Sequence, residues 1–264
     1  MKSRLFSALL KYHRHRRGLS QLDLAIEADV SARHVSFLES GRAQPSAEMV
    51  LRLLSVLGVP LREQNEALVA AGLEPRFPEP QAGGLSPEVE AALAQMMIQH
   101  EPFPLTVLAV DGTVLRANRP AKTMFEAFAA DPRALVSPLD IFTLFFDPRL
   151  WRPFVVGWQH VAHAMIARLH RDALLRDDGR LRARLDRLLA FPDVPRGWCQ
   201  PVFSAAVGPT ATFRLEREGR RVGFLVTVTT FSSPGDVTLD ELRIESCFPL
   251  DAETRVACEA QFRS

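Results

Sequence analysis

The residues that follow Asp29-Val30 carry side chains suited to contact nucleic-acid bases and phosphates. Arg33 can give two parallel hydrogen bonds to a guanine, or one charged hydrogen bond to a phosphate. The hydroxyls of Ser31 and Ser36 can bond either a base edge or a phosphate. Phe37 is suited to pack against a thymine methyl group, or alternatively to lie in the protein core. On one short helix these residues would share an outward face.

Two short helical patterns joined by a tight turn would position these side chains. Ser20 precedes a helix predicted over 21–28, and Ser31 precedes one over 32–39, each as a capping residue that accepts a backbone hydrogen bond. Two short helices so joined must cross steeply, so the second stands out and fits the major groove of B-DNA. The alternative is a five-helix module that contacts proteins and not DNA.

Five helical patterns fill residues 1–74 and predict a helical first domain. They run over about 3–17, 21–28, 32–39, 46–57 and 61–71, and glycines follow several of them, as is typical of helix ends. The domain holds ten Lys/Arg against eight Asp/Glu, a net charge of +2, so affinity for DNA would depend on local geometry and dimerisation more than on bulk charge. The predicted core comprises Leu5, Leu9, Tyr12, Leu22, Leu24, Ala25, Ile26, Val30, Val35, Leu38, Met49, Val50, Leu53, Leu54, Leu57, Leu61, Leu68 and Val69.

The stretch GLSQLDLAIEADVSARHVSFLESGRAQPSAEMVLRLLSVLGV, from Gly18 to Val59, resembles the xenobiotic-response-element (lambda-repressor-like) helix-turn-helix family. The resemblance implies that Gln21 contacts a phosphate and a base, and that Arg42, after LESG, contacts the DNA backbone. It also implies a homodimer on double-stranded DNA, with two recognition helices about 34 Å apart. The predicted DNA-contacting residues are Arg17, Gln21, Ser31, Ala32, Arg33, Ser36, Phe37, Ser40 and Arg42.

A proline- and glycine-rich segment separates this domain from the rest of the chain. Three prolines and two glycines between Glu74 and Gly84 cannot continue a helix or pair as a central strand, which predicts a linker over 75–84. Residues 85–264 then predict two strands joined by Asp111-Gly112, several helices, and three antiparallel strands over 210–216, 221–231 and about 239–248. This order is typical of a PAS-like α+β domain with an antiparallel sheet and an internal cavity.

Three phrases in this second domain resemble the ligand-binding domain of MmyB-like regulators: PFPLTVLAVDGTVLRANRPAKTMF, LFFDPRLWRPFVVGWQHVAHAMIARL and FLVTVTTFSSPGDVTLDELRIESCFPLD. The resemblance implies a PAS-like sensor for a small apolar, lipid-like ligand such as a fatty acid. Binding would come mostly from apolar area removed from water, and the alternative is a dry core. The predicted pocket residues are Val107, Ala109, Phe125, Phe128, Phe145, Trp158, Met165, Phe203, Phe213, Phe224 and Val226.

No pattern in the chain predicts catalysis. There is no phosphate-binding glycine loop and no G-x-S-x-G turn, and Asp140 and Asp147 are helix-end residues without a recognisable partner. His160, His163 and His170 share one side of a helix predicted over 152–176, where they could bind a metal but more readily form a solvated face. We therefore expect no enzyme, metal or cofactor; the alternative is an enzymatic or purely dimerising C-terminal domain.

Cysteine usage and hydropathy predict a cytoplasmic protein. Cys199, Cys247 and Cys258 are odd in number and form no C-x-x-C pair, so reduced thiols are favoured over redox sensors. No apolar run approaches the roughly 20 residues that span a bilayer. With a formal net charge of +1, no global field would draw the chain to nucleic acid, although residues 1–19 are basic without an acid.

Overall fold

The computed structural model describes residues 2–78, 85–176, 179–199, 211–231 and 237–262. These residues cluster into two units. Unit 1 comprises residues 1–85 together with 231–240, and unit 2 comprises residues 86–230 together with 241–264. The N-terminal unit thus includes a segment from the C-terminal half of the chain. Over the described residues, no helix is both long and apolar enough to cross a membrane.

Unit 1 is built from short helices whose starts follow the predicted capping residues. Ser20, Ser31 and Ser46 each accept a hydrogen bond from the backbone N–H three residues later, and the helices then begin at the next residue. The predicted helical domain with its helix-turn-helix is confirmed. The helices of its N-terminal part are α1 (Lys2–Arg16), α2 (Gln21–Glu27), α3 (Ala32–Glu39), α4 (Ala47–Val56) and α5 (Leu61–Ala70).

The buried face of α1 differs from the predicted one. Phe6 and Leu10 are fully buried, and the polar residues His13 and Arg14 continue the same face. The predicted buried face, with Leu5, Leu9 and Tyr12, is shifted by one residue from the observed face. Both sets of positions repeat at helical spacing, so spacing alone does not distinguish them. Five residues predicted for the core are in fact exposed: Leu5, Tyr12, Leu22, Ile26 and Val69.

A buried ion pair joins α1 to the end of α3. Arg14 donates from Nε to Glu39 Oε1 at 2.6 Å and from Nη2 to Oε2 at 2.8 Å, and it also donates to the Leu19 carbonyl at 2.8 Å. Gln21, the first residue of α2, donates to the same Glu39 carboxylate at 2.8 Å. Burial alone would raise the pKa of Glu39, but these hydrogen bonds outweigh it and lower that pKa. Three helices therefore meet at one carboxylate.

Unit 2 contains an antiparallel sheet with helices before, between and after its strands, which confirms the predicted α+β class. Its hairpin needs Gly112, because a Cβ there would lie 2.5 Å from the Phe142 ring. The elements of the remaining described chain are α6 (Pro87–His100), β1 (Leu105–Leu108), β2 (Val114–Ala117), α7 (Arg119–Ala127), α8 (Ile141–Phe146), α9 (Trp158–Arg176), α10 (Gly179–Leu189), β3 (Ala211–Arg217), β4 (Arg220–Thr229), α11 (Val237–Glu241), β5 (Arg243–Pro249) and α12 (Ala252–Phe262).

The strands lie in the order β2-β1-β5-β4-β3, so the last strand in sequence is central. In this register Glu245 lies opposite Thr106 on β1 and Val228 on β4. The last strand was predicted from about residue 239, but residues 237–241 form a helical turn and the strand begins at Arg243. The predicted helix over 152–176 begins only at Trp158, because the chain bends at Gly157 with a φ of +66°.

The first part of the predicted linker lies against α5 in unit 1. Buried Asn65 accepts from the backbone N–H groups of Arg76 and Phe77 and donates to the Phe77 carbonyl at 2.8 Å. Residues 75–78 are thus held by a side chain of α5, whereas residues 79–84 of the predicted linker lie outside the described residues.

The segment 231–240 adds to unit 1 from the far end of the chain. The Asp240 carboxylate accepts from the Leu61 N–H at 3.2 Å, at the start of α5, where helix N–H groups lack intrahelical partners. Val237 is fully buried, and its N–H donates to the Pro78 carbonyl at 3.2 Å. The N-terminus of α5 is therefore capped by a carboxylate that lies 179 residues further along the chain.

Replacing Arg14 by Met should lower the free energy of unfolding by about 3 kcal/mol or more, because Glu39 is left charged and buried without its cation. Urea denaturation followed by circular dichroism measures the change. Arg52→Met, at an exposed arginine of α4, is the matched control and should change stability by less than about 1 kcal/mol. The double variant Arg14→Met/Glu39→Leu should regain part of the loss; a double variant as unstable as the sum of the two single variants would contradict this explanation.

Buried His13 should make unit 1 sensitive to mild acid. Burial, aided by Arg16, lowers the pKa of His13 from 6.5 to about 4, although Glu63 lies 3.9 Å away. The neutral ring is favoured in the folded state, so this contribution is complete above pH 6.5 and is lost as the pH falls to about 4, by about 3 kcal/mol in total. Unfolding curves between pH 7 and 4 should show this loss in the parent chain and not in His13→Leu. Equal slopes in the parent chain and in His13→Leu would refute the assignment.

Candidate functional site

The exposed surface of α3 and the turn after it carries the predicted DNA-contacting residues. Ser31, Arg33, Ser40 and Arg42 are exposed, and so is Arg17 at the end of α1. Three further predicted residues are half-buried on the same short helix: Ala32, Ser36 and Phe37. The opposite face of α3 is anchored by the fully buried residues Val35 and Leu38.

Phe37 brings two guanidinium groups together on this surface. The Arg33 guanidinium carbon lies 5.1 Å from the centre of the Phe37 ring, and that of Arg42 lies 5.9 Å from it. Both distances fall within the range of a cation–π contact. The half-buried ring, predicted to be either a base contact or a core residue, supports two cations that carry ten N–H donors between them, and its contact with a base stays a prediction.

The polar residues around α3 already form hydrogen bonds inside unit 1. The Ser31 hydroxyl accepts from the His34 N–H at 3.1 Å, and Ser40 donates to the Phe37 carbonyl at 3.2 Å. Gln21 donates to Glu39, so the side-chain nitrogen of Gln21 points into unit 1. Arg14, near the end of α1, is buried in the ion pair with Glu39.

Unit 2 holds a cavity of about 180 Å³ between one face of the sheet and the helices α7 to α10. Its walls include five aromatic side chains: Phe125, Phe142, Phe145, Trp151 and Phe213. Six of the predicted pocket residues line it: Ala109, Phe125, Phe145, Met165, Phe213 and Val226. Whether they bind a ligand stays a prediction.

Four predicted pocket residues lie away from the cavity, and Phe203 lies outside the described residues. Val107 pairs with Ile244 on the opposite side of the sheet from Thr106 and Leu108, because successive strand residues alternate between faces. Trp158 packs at the edge of the core, where its indole N–H donates to the Phe145 carbonyl at 2.6 Å. The other two, Phe128 and Phe224, are buried in the hydrophobic core beside the cavity.

Charged side chains line part of the cavity. Arg243 and Glu245 occupy successive inward positions of central strand β5, and Arg168 of α9 lines the same cavity. Burial raises the pKa of Glu245, while the positive charge of Arg168 opposes that rise. Sequence analysis missed these residues, although charges at alternate positions of a strand that is paired on both sides were a usable signal.

An internal ion cluster fixes the wall of the cavity around Gly112. Arg184 of α10, almost completely buried, forms ion pairs with Asp140 and with Asp111, the latter at 3.5 Å. Asp140 also caps α8 by accepting from the Phe142 N–H at 2.9 Å. Asp140 therefore has a structural role that joins the hairpin, α8 and α10.

The histidines of α9 and the thiols of Cys247 and Cys258 lie in unit 2. Within the described residues no three His, Cys, Asp or Glu side chains are placed to hold a metal. His170, predicted on a solvated face, is buried, and its Nε2 lies 3.0 Å from the Trp198 carbonyl oxygen. Burial raises the pKa of the thiols of Cys247 and Cys258, which disfavours the reactive thiolate.

Comparisons with known proteins match a separate family model to each of the two parts of the chain. A family model described as the MmyB-like transcription regulator ligand binding domain matches residues 89–260, and a helix-turn-helix domain model matches residues 5–68. No curated protein matches the chain. Among solved structures, an RNA-binding light-oxygen-voltage receptor matches at 16% identity with a TM-score of 0.29, over 97% of this chain. The chain spans only 56% of that receptor chain.

Proposed function

This chain belongs to the MmyB-like transcription regulators, and we propose on that premise that it binds specific double-stranded DNA sequences under the control of a small apolar ligand. The observation that carries the proposal is the pairing of two arginines on Phe37 at the exposed surface of a helix-turn-helix. A DNA-reading surface and an apolar cavity in one chain are the two parts that a ligand-controlled regulator needs.

Recognition would be divided between base edges and phosphates. Arg33 lies on α3, the helix that enters the major groove in proteins with this motif, so it is assigned to a guanine edge. Arg42 lies beyond the helix end and is assigned to the DNA backbone, which positions a protein without reading sequence. The engaged hydroxyl of Ser31 and amide of Gln21 support a secondary, orienting role for both residues.

The protein would act as a homodimer with its two α3 helices in successive major grooves, about 34 Å apart. Ligand in unit 2 would change the placement of the DNA-reading units relative to each other. This works only if the ligand binds one arrangement more tightly than the other. Measured operator affinities with and without ligand should therefore differ, and equal values would remove the coupling from the proposal.

The cavity supports the ligand part of the proposal. Its walls are mostly apolar and it carries a few polar groups at one end, which is the usual composition of a small-molecule site. The order of two strands, several helices and three strands also supports a PAS-like sensor. A fatty acid or another small apolar compound is the proposed class of ligand.

Selection from a random pool of duplexes by the purified full chain should enrich one palindromic sequence. On that sequence, Arg33→Ala should weaken binding by about 10- to 100-fold and relax the preference at one base pair. Arg42→Ala should weaken binding to all sequences alike and lower the slope of log affinity against log salt by about 1. Fluorescence anisotropy at several salt concentrations separates the two effects.

The exposed α4 arginine provides the control for this experiment. Arg52→Ala removes the same charge from the same unit and should leave sequence preference unchanged. A pool that shows no enrichment with the parent protein would refute sequence-specific binding. Enrichment that Arg33→Ala does not alter would refute only the assignment of Arg33 as the base-reading residue.

A further inference from the structure

We infer that residues 237–240, which lie between the start of α5 and the cavity strand β5, carry the ligand signal from unit 2 to the DNA-reading unit. These residues are called the strap below. The inference rests on the proposed function and names the route of its regulation. Three observations carry it: α5 holds the strap, a very short stretch of chain joins the strap to a wall of the cavity, and α5 packs on the helix that anchors α3.

The strap is held in unit 1 by burial and by two hydrogen bonds. Val237 is fully buried, and its N–H donates to the Pro78 carbonyl at 3.2 Å. Asp240 accepts from the Leu61 N–H at 3.2 Å, where Pro60 offers no side-chain cap to the helix. The helices α2, α3 and α4 are instead capped by serines that directly precede them. The start of α5 thus depends on a distant part of the chain for a contact that these helices make locally.

The strap is joined to the cavity wall by a very short stretch of chain. Only Glu241 and Leu242 separate it from β5, whose residues Arg243 and Glu245 line the cavity. The three residues from Asp240 to Arg243 span at most about 11 Å even when fully extended. Leu242, within this stretch, is almost completely buried. A shift of β5 by a molecule in the cavity therefore acts on Asp240, because no long loop lies between them to absorb it.

Within unit 1, α5 packs on the helix that anchors the recognition helix. The contact is between α5 and α1, where Glu63 Oε2 lies 3.9 Å from His13 Nε2. The next residue of α1, Arg14, forms the buried ion pair with Glu39 at the end of α3. A displacement of α5 therefore acts on α3 through α1.

The strap has two states, docked and released. In the docked state Asp240 caps α5 and Val237 is buried, as the structure shows. In the released state both contacts are lost, and the Leu61 N–H is open to solvent. A molecule that crowds the cavity favours release, and by reciprocity the state of the DNA-reading unit changes the affinity of the cavity by the same factor.

Hydrogen exchange resolved to single amides tests the strap in the purified full chain, without DNA and without a ligand. Val226→Phe, on β4, adds apolar volume at the cavity wall as a substitute for a bound molecule. It should speed exchange of the Leu61 amide by about 10-fold or more, because the hydrogen bond to the Asp240 carboxylate is lost. The Met49 amide, which Ser46 caps at the start of α4, is the internal control and should change by less than about 2-fold.

Lengthening the chain between the strap and β5 separates docking from transmission. Two glycines inserted before Leu242 leave the capping residue in place, so the Leu61 amide should keep its parental exchange rate. In this variant Val226→Phe should no longer speed that exchange. Asp240→Ala should speed it whatever the state of the cavity, whereas Glu66→Ala, at an exposed acid of the same helix, is the matched control and should not.

Fluorescence anisotropy on the duplex that the parent chain selects tests the connection to DNA. Val226→Phe should change the affinity by about 5-fold or more, which is the lower end of usual coupling between two sites. In the Asp240→Ala background, or with the glycine insertion, the same substitution should change it by less than about 2-fold.

The outcomes separate this inference from the proposed function. Thermal unfolding shows which variants are folded, and Met165→Trp, which adds volume to the cavity from α9, takes the place of Val226→Phe if that variant is not. Unchanged exchange at Leu61, or equal acceleration at Leu61 and Met49, overturns the strap. A change in DNA affinity that persists in Asp240→Ala also overturns it, because the signal then takes another route. If the parent chain selects no duplex, the proposed function fails, while the exchange rates still decide whether the cavity and the strap are coupled.

Discussion

The bidentate ion pair between Arg14 and Glu39 is the interaction on which the geometry of unit 1 most depends. It joins the end of α1 to the last residue of α3, and Gln21 brings the start of α2 to the same carboxylate. A buried ion pair adds little net stability over apolar residues of the same size, because both charges lose their hydration. It links the last residue of α3 to α1 and α2, and Arg33 lies on the exposed side of the same helix α3.

Unit 2 uses buried charge in a different way. Arg243 and Glu245 face inward from the central strand, where apolar residues would pack with less electrostatic cost. The raised pKa of Glu245 records that cost. Ionisable groups with perturbed pKa values in a cavity are candidates for a functional site, although structural ion pairs such as that of Arg14 and Glu39 shift pKa values too. Unit 1 thus uses a buried ion pair to fix an internal geometry, whereas unit 2 places ionisable groups at the wall of a cavity.

Local signals in the sequence predicted most of the helices and strands. The buried face of a helix and the contacts between residues distant in sequence were harder to predict. Serine caps located the starts of α2, α3 and α4, because capping depends on residues adjacent in sequence. The buried face of α1 was assigned wrongly, since its true stripe includes His13 and Arg14, whose burial requires partners far along the chain. Six cavity-lining residues were predicted because they are apolar and lie on the inward faces of predicted helices and strands. The charged residues Arg243 and Glu245 were not, because strand alternation places charges on the solvent side by default.

The segment 231–240 makes the DNA-reading unit discontinuous in sequence. A ribosome releases the chain from the N-terminus onward, so helices α1 to α5 emerge long before Asp240, whose carboxylate accepts from the first N–H of α5. The unit reaches its final set of contacts only after residue 240 has been made. A nascent or truncated product that ends at the linker lacks this carboxylate and the buried Val237, so the start of α5 loses one hydrogen-bond acceptor and one apolar contact.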